Sequence, residues 1–147
     1  MDYCKSLTLL KSKQIKTTAQ RVEILDLIIS RNQPFSATEL HSELKNASNI
    51  DLATVYRFIN LLTKSEIIRE VVNSDGYQFY ELSCEHHPLH PHFICQECKN
   101  ISCLKNLTSL DAVNLGSYTG GHSVRSISLN FTGICSECQD HQSKKEE

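Results

Sequence analysis

The sequence predicts an α+β chain in two parts, a helix-rich N-terminal half ending in a hairpin and a smaller mixed half after it. Three observations predict this. Apolar residues recur at helical spacing through residues 18–64, two strand-like runs flank "NSDG" at 73–76, and after Cys84 short strand-like runs alternate with two CxxC pairs. The boundary falls before Cys84, giving units 1–83 and 84–147.

In "TAQRVEILDLIIS" (18–30), Val22, Leu25, Ile28 and Ile29 share one helical face, with Thr17 or Thr18 as N-cap. "SATE" at 36–39 places Ser36 three residues before Glu39, a capping-box pattern that starts a second helix running to "KNASN". Asp51 caps a third, "LATVYRFINLLTKS", whose buried stripe is Val55, Phe58, Ile59 and Leu62. Only "NASN" separates the second and third helices, a turn short enough for a helix-turn-helix. "IIREVV" (67–72) and "YQFYEL" (77–82) then form the hairpin. Three helices followed by a hairpin is the order of a winged helix-turn-helix domain. In the second unit "HFIC" and "NISCL" read as strands, Asn106 to Leu115 as a helix, and "VRSISLNF" as a half-buried strand with Ile127, Leu129 and Phe131 on one face. The polar tail "QDHQSKKEE" reads as frayed.

The net charge of −2 is a poor advertisement for a nucleic-acid partner, but the two halves differ. Residues 1–72 hold ten Lys/Arg against eight Asp/Glu, and residues 73–147 hold five against nine. Lys5, Lys11, Lys13, Lys16 and Arg21 crowd the start, which suits a DNA-facing N-terminal half. Ser48, Asn49 and Thr54 stand at the entry of the third helix. There they can donate to phosphate or act as caps and turn residues. The apolar stretch in "MDYCKSLTLL" is too short and interrupted for a signal peptide, and no run is long enough to span a bilayer. A cytoplasmic setting keeps thiols reduced, so seven cysteines point to metal chemistry rather than disulfides.

"CQEC" (Cys95, Cys98) and "CSEC" (Cys135, Cys138) are two knuckles that together supply the four thiolates of a tetrahedral structural zinc site. A thioredoxin-like role needs one CxxC at a helix start in a βαβ setting, which is missing. Cys84, His86, His87, His90, His92 and Cys103 remain. His90 and His92 lie two apart, so on extended backbone both point to one face and can share a second metal. Thiolate with imidazole favours zinc over ferrous iron. His86 and His87 read as solvated, and Cys4 as an incidental thiol near a chain end.

"KTTAQR", "DLATVYRFINLL", the wing ending "FYEL", the His-rich link into "HFICQEC" and the closing "GICSEC" together resemble the ferric uptake regulator family of metal-dependent bacterial repressors. The resemblance covers residues 10–138. It implies a homodimer in which winged helices bind an inverted-repeat operator in double-stranded DNA, a small α+β domain dimerises, and metal at the hinge sets the spacing of the DNA heads. Cys95, Cys98, Cys135 and Cys138 match the family's structural zinc ligands. Tyr56 and Arg57 match its recognition-helix contacts, Lys16 a basic residue that reaches the minor groove, and Arg21 the arginine five residues later. The family's usual proline before that arginine is Ala19 here.

The resemblance also bears on the sensing metal. The loop histidine of iron- and peroxide-responsive members has no counterpart in "NQPFSA". Cys84, six residues before the HxH, stands where zinc-sensing members carry a cysteine. The implied sensing set is Cys84, His90, His92 and a fourth ligand from Cys103, Glu70 or Glu81. The chain therefore looks most like a zinc uptake regulator, a repressor of metal uptake genes. The alternative is an iron-responsive regulator using Glu81, His90 and His92. A zinc enzyme is disfavoured, because there is no HExxH helix, no nucleophile elbow and no phosphate-cradling Gly-rich loop. A metal-buffering protein would have no use for the helix-turn-helix. Neither a membrane nor a small-molecule substrate is expected as partner.

Overall fold

The computed structural model describes residues 4–74, 77–84, 87–125 and 127–145. The expected turn at Asp75–Gly76 and His86 lie outside them. The chain divides into two compact units, 1–87 and 88–147, so Cys84 and His87 stay with the first.

The first unit begins with a helix that the sequence reading did not anticipate. α1 (Ser6–Ser12) buries Leu10 completely and hydrogen-bonds the Ser6 hydroxyl to Asp26. Seven residues are too few to stand alone as a helix. Packing of Leu10 into the core is what holds it. α1 ends in a left-handed cap, with Gln14 at φ 57° and the Ile15 N–H returning to the Leu10 carbonyl at 2.9 Å. No glycine marks this stop, which hid it in the sequence.

α2 (Ala19–Ser30) starts at Thr18, whose hydroxyl accepts from the Arg21 N–H. β1 (Phe35–Ser36) leads into α3 (Ala37–Lys45), where the Ser36/Glu39 capping box forms as the sequence predicts. α4 (Leu52–Lys64) is capped by Asp51, whose carboxylate accepts from the Thr54 N–H at 2.8 Å. The Thr54 hydroxyl, followed by that backbone bond, holds the Asp51 carboxyl below its ordinary range. α4 buries the expected stripe of Val55, Phe58, Ile59 and Leu62. A second left-handed cap, Glu66 at φ 60°, turns the chain from α4 into the wing.

The wing strands are β2 (Ile68–Ser74) and β3 (Tyr77–Leu82), paired antiparallel from Ile68↔Leu82 to Ser74↔Tyr77. β1 adds to the other side of β3, giving the order β1-β3-β2. Side chains of all four helices and the sheet make one core, including Leu10, Leu25, Leu40, Ile59, Leu62 and Ile68. Because Leu62 is fully buried in it, Leu62→Ala is expected to cost about 2–5 kcal/mol. Urea unfolding followed by helix signal checks this. An unchanged midpoint would mean the α4 stripe does not carry the core.

The second unit is a three-stranded sheet in the order β5-β4-β6 with two helices. β4 (His92–Cys95) pairs antiparallel with β5 (Ile101–Cys103) and parallel with β6 (Asn130–Gly133). α5 (Ser109–Gly116) opens on a Thr108/Asp111 capping box, and α6 (Ser136–Ser143) begins at Cys135. Two expectations need correction. Of the tail at 139–147, residues 139–143 are helical rather than frayed, as the end of α6. The last strand starts only at Asn130, and its supposed buried face is open, with Ile127 and Phe131 exposed. Alternation reports that a face seeks cover; it does not say that the same chain supplies it.

Candidate metal centres and nucleic-acid face

The two CxxC knuckles meet as the spacing requires. Cys95 ends β4, and the turn after it places Lys99 at φ 63°, with the Lys99 N–H on the Cys95 carbonyl at 3.0 Å. This brings Cys98 back beside Cys95. Cys135 and Cys138 stand at the start of α6. The Sγ atoms of Cys95 and Cys138 are 3.9 Å apart, as are those of Cys98 and Cys135. A tetrahedron with zinc–sulfur bonds of about 2.3 Å has an edge of about 3.8 Å, so the four thiols fit a zinc ion. The Cys135 and Cys98 N–H groups draw the Cys95 thiol down to about 6. Cys138 shares its hydrogen bond with Cys135 and is pushed up to about 12.

A second group lies on the same sheet. His92 and Cys103 are directly paired across β4 and β5, so their side chains share a face. The His90 ring stands 4.6 Å from the His92 ring, centroid to centroid. One ligand atom from each of His90, His92 and Cys103 lies within 4.8 Å of the others. His92 is buried, while Cys103 faces solvent. Two imidazoles and one thiolate can hold a borderline-soft divalent cation.

The remaining regulatory residues expected from the sequence belong to the first unit. Glu81 is buried on β3 and accepts from Arg69 Nε at 2.8 Å. Glu70 is exposed on β2, opposite Tyr80. The Cys84 Sγ lies 2.7 Å from the Cys4 Sγ and 2.9 Å from His87 Nδ1. Cys4 is buried rather than incidental, and burial followed by the Cys84 contact pushes its thiol up to about 11. Nothing local in the sequence could link residues 80 apart.

Three of the basic residues expected at DNA, Lys16, Arg21 and Arg57, share one cleft of the first unit. Lys16, Thr18, Gln20, Arg21, Thr54 and Arg57 line a shallow cleft between the start of α2 and α4. Arg21 donates to the Lys16 carbonyl at 2.8 Å and stacks over Phe58, 5.8 Å from its centroid. Arg57 donates to Thr54 Oγ1 at 3.2 Å, and Tyr56 is exposed. Ser48 donates to the Leu44 carbonyl, as a turn residue does, and Asn49 is exposed. The sequence reading missed Thr18 and Gln20 as neighbours of these cations.

The model of the ferric uptake regulator family matches residues 12–131. The chain belongs to the ferric uptake regulator family. It is 30% identical to the ferric uptake regulation protein of Campylobacter upsaliensis over 139 residues, 92% of this chain and 87% of that one. The solved ferric uptake regulator of Francisella tularensis with iron is 30% identical at a TM-score of 0.68, covering 85% of this chain and 95% of the other. A zinc uptake regulator solved with zinc and DNA has the same fold at 22% identity and a TM-score of 0.64, covering 93% and 92%. This ferric uptake regulator relative is thus a metal-responsive transcription regulator, of a family whose members bind DNA and form dimers. Among the described residues, no helix is long and apolar enough to cross a membrane.

Proposed function

We propose that this chain is a zinc-responsive homodimeric repressor that binds an inverted-repeat operator. The convergence of His90, His92 and Cys103 on one sheet face carries the reading. Zinc, when bound, supplies a tetrahedral cross-link among such side chains. His92 is held in place by β4, and Cys103 by β5. A thiolate in the set favours zinc over ferrous iron, which carboxylate-rich sites suit better. The four cysteines at 95, 98, 135 and 138 are assigned to a structural zinc. Lys16, Arg21, Tyr56 and Arg57 are assigned to DNA, with Ser48, Asn49 and Thr54 beside them.

Dimerisation is supported by the large apolar side chains left open on the second unit. Leu110, Val113, Tyr118 and Phe131 are all more than half exposed, and α5 buries none of its residues. Such a surface is costly in water and suits a second copy.

The test is an anaerobic fluorescence-anisotropy titration against a duplex selected from a random pool. Zinc is expected to promote binding at a lower free concentration than ferrous iron. The reverse order would assign the iron-responsive function instead, the reading favoured by the similarity to ferric uptake regulators. In the same assay, Arg57→Ala should weaken binding about 5- to 150-fold at unchanged metal content. Normal DNA binding by that variant would misplace the recognition helix.

A further inference from the structure

We propose that Cys4, Cys84 and His87 form a further site for a thiophilic d10 cation, Zn2+ or Cu+, within the first unit. It goes beyond the zinc-responsive reading and shares no ligand with His90, His92 and Cys103.

Two thiols and an imidazole from opposite ends of the unit meet here. The Sγ atoms of Cys4 and Cys84 are 2.7 Å apart, and His87 Nδ1 is 2.9 Å from the Cys84 Sγ. All three ligand atoms lie within 4.8 Å of one another. Each ligand is set by its own backbone. α1 anchors Cys4 through Leu10 and the Ser6–Asp26 hydrogen bond. The Ser83 N–H on the Ile67 carbonyl, at 3.0 Å, places the residue before Cys84. The His87 N–H returns to the Cys84 carbonyl at 2.8 Å, which folds the imidazole back onto the thiol.

Ordinary core packing is the competing explanation, since a free thiol behaves as a small hydrophobe. It does not account for this group. Cys4 is only 8% exposed, yet its Sγ faces another thiol and an imidazole rather than apolar side chains alone. Soft sulfur with imidazole is the ligand set of zinc and of cuprous ion. The 2.7 Å separation is shorter than the tetrahedral edge of about 3.8 Å, so loading must spread the sulfurs by about 1 Å. The bound cation would tie α1 to the end of the wing across 80 residues of chain. It would also hold Cys84, so occupancy of this site and use of Cys84 elsewhere exclude each other.

Native mass spectrometry of the full chain, kept anaerobic and reduced, tests the site. One arm is titrated with Zn2+ and the other with Cu+. The parent is expected to take up one more equivalent than Cys4→Ser and than His87→Ala, in the arm of the preferred cation. Affinity for that equivalent should fall by more than the about 10- to 100-fold that loss of an outer-shell partner costs. His92→Ala should keep this equivalent, so failure of the zinc-responsive reading is read separately. Unchanged stoichiometry and affinity in both Cys4→Ser and His87→Ala would overturn the site. Recovery of Cys4 and Cys84 as a disulfide in the protein as isolated, with neither cation taken up after reduction, would also overturn it.

Discussion

Cys135→Ser is expected to unfold the second unit while leaving the first intact. Among the described residues of 88–147, only His92, Ile94 and Cys95 are buried. Within a single chain so thin a core cannot offset the chain entropy of ordering the unit. The zinc proposed for the four thiols would supply what the core lacks, because a structural zinc contributes on the order of 10 kcal/mol to folding. Serine is a good helix N-cap, so the start of α6 at residue 135 loses nothing by this exchange. The effect therefore isolates the thiolate. Hydrogen exchange should show lost protection in β4, β5 and β6 and retained protection in α2, α3 and α4, with one zinc equivalent gone. Full protection of β4 in the metal-free variant would sink the argument.

Acid should reach the same end by another route. The Cys95 thiol sits at about 6 against an ordinary value of 9.0. A lowered folded value means the anion's contribution is complete above the ordinary value and is lost as pH falls through about 6. Zinc retention is expected to weaken in that direction, since protons compete for the ligands.

His92→Ala should abolish the metal response while sparing the structural zinc. His92 is 3% exposed and directly opposite Cys103, so no solvent-held side chain can replace it. Losing a ligand should cost at least the about 100-fold in affinity that the loss of an outer-shell partner can reach. The effector can shift the DNA-competent state only by its difference in affinity between states, so losing the site removes the shift. In the anisotropy assay the variant should hold DNA at the metal-free level across the whole zinc titration. A parental zinc dependence would move the effector elsewhere, and the Cys4, Cys84 and His87 group would be the next to examine.

Much of the first unit was legible residue by residue. Thr18, Ser36 and Asp51 act as the caps expected of them, because a cap is a local contest between one side chain and the nearest N–H groups. The α4 stripe was equally readable from its 3.6-residue period. α1 was not, because seven residues owe their helical state to burial of Leu10 rather than to propensity. The two helix stops at Gln14 and Glu66 lack the glycine that usually signals them.

For the sites the same division holds. Each CxxC pair and the HxH point to metal because their members are neighbours in the chain, but the two CxxC pairs, about 40 residues apart, meet only through the fold. By itself the sequence determined the helix caps, the α4 stripe and the two-part architecture, and it supplied the candidate ligands. Only the tertiary structure decided that Cys103 stands opposite His92, that Lys16, Arg21 and Arg57 line one cleft, and that Cys4 meets Cys84. Each of those meetings depends on strand register or helix packing between distant segments. Register and packing are set by the core as a whole, and no local pattern encodes them.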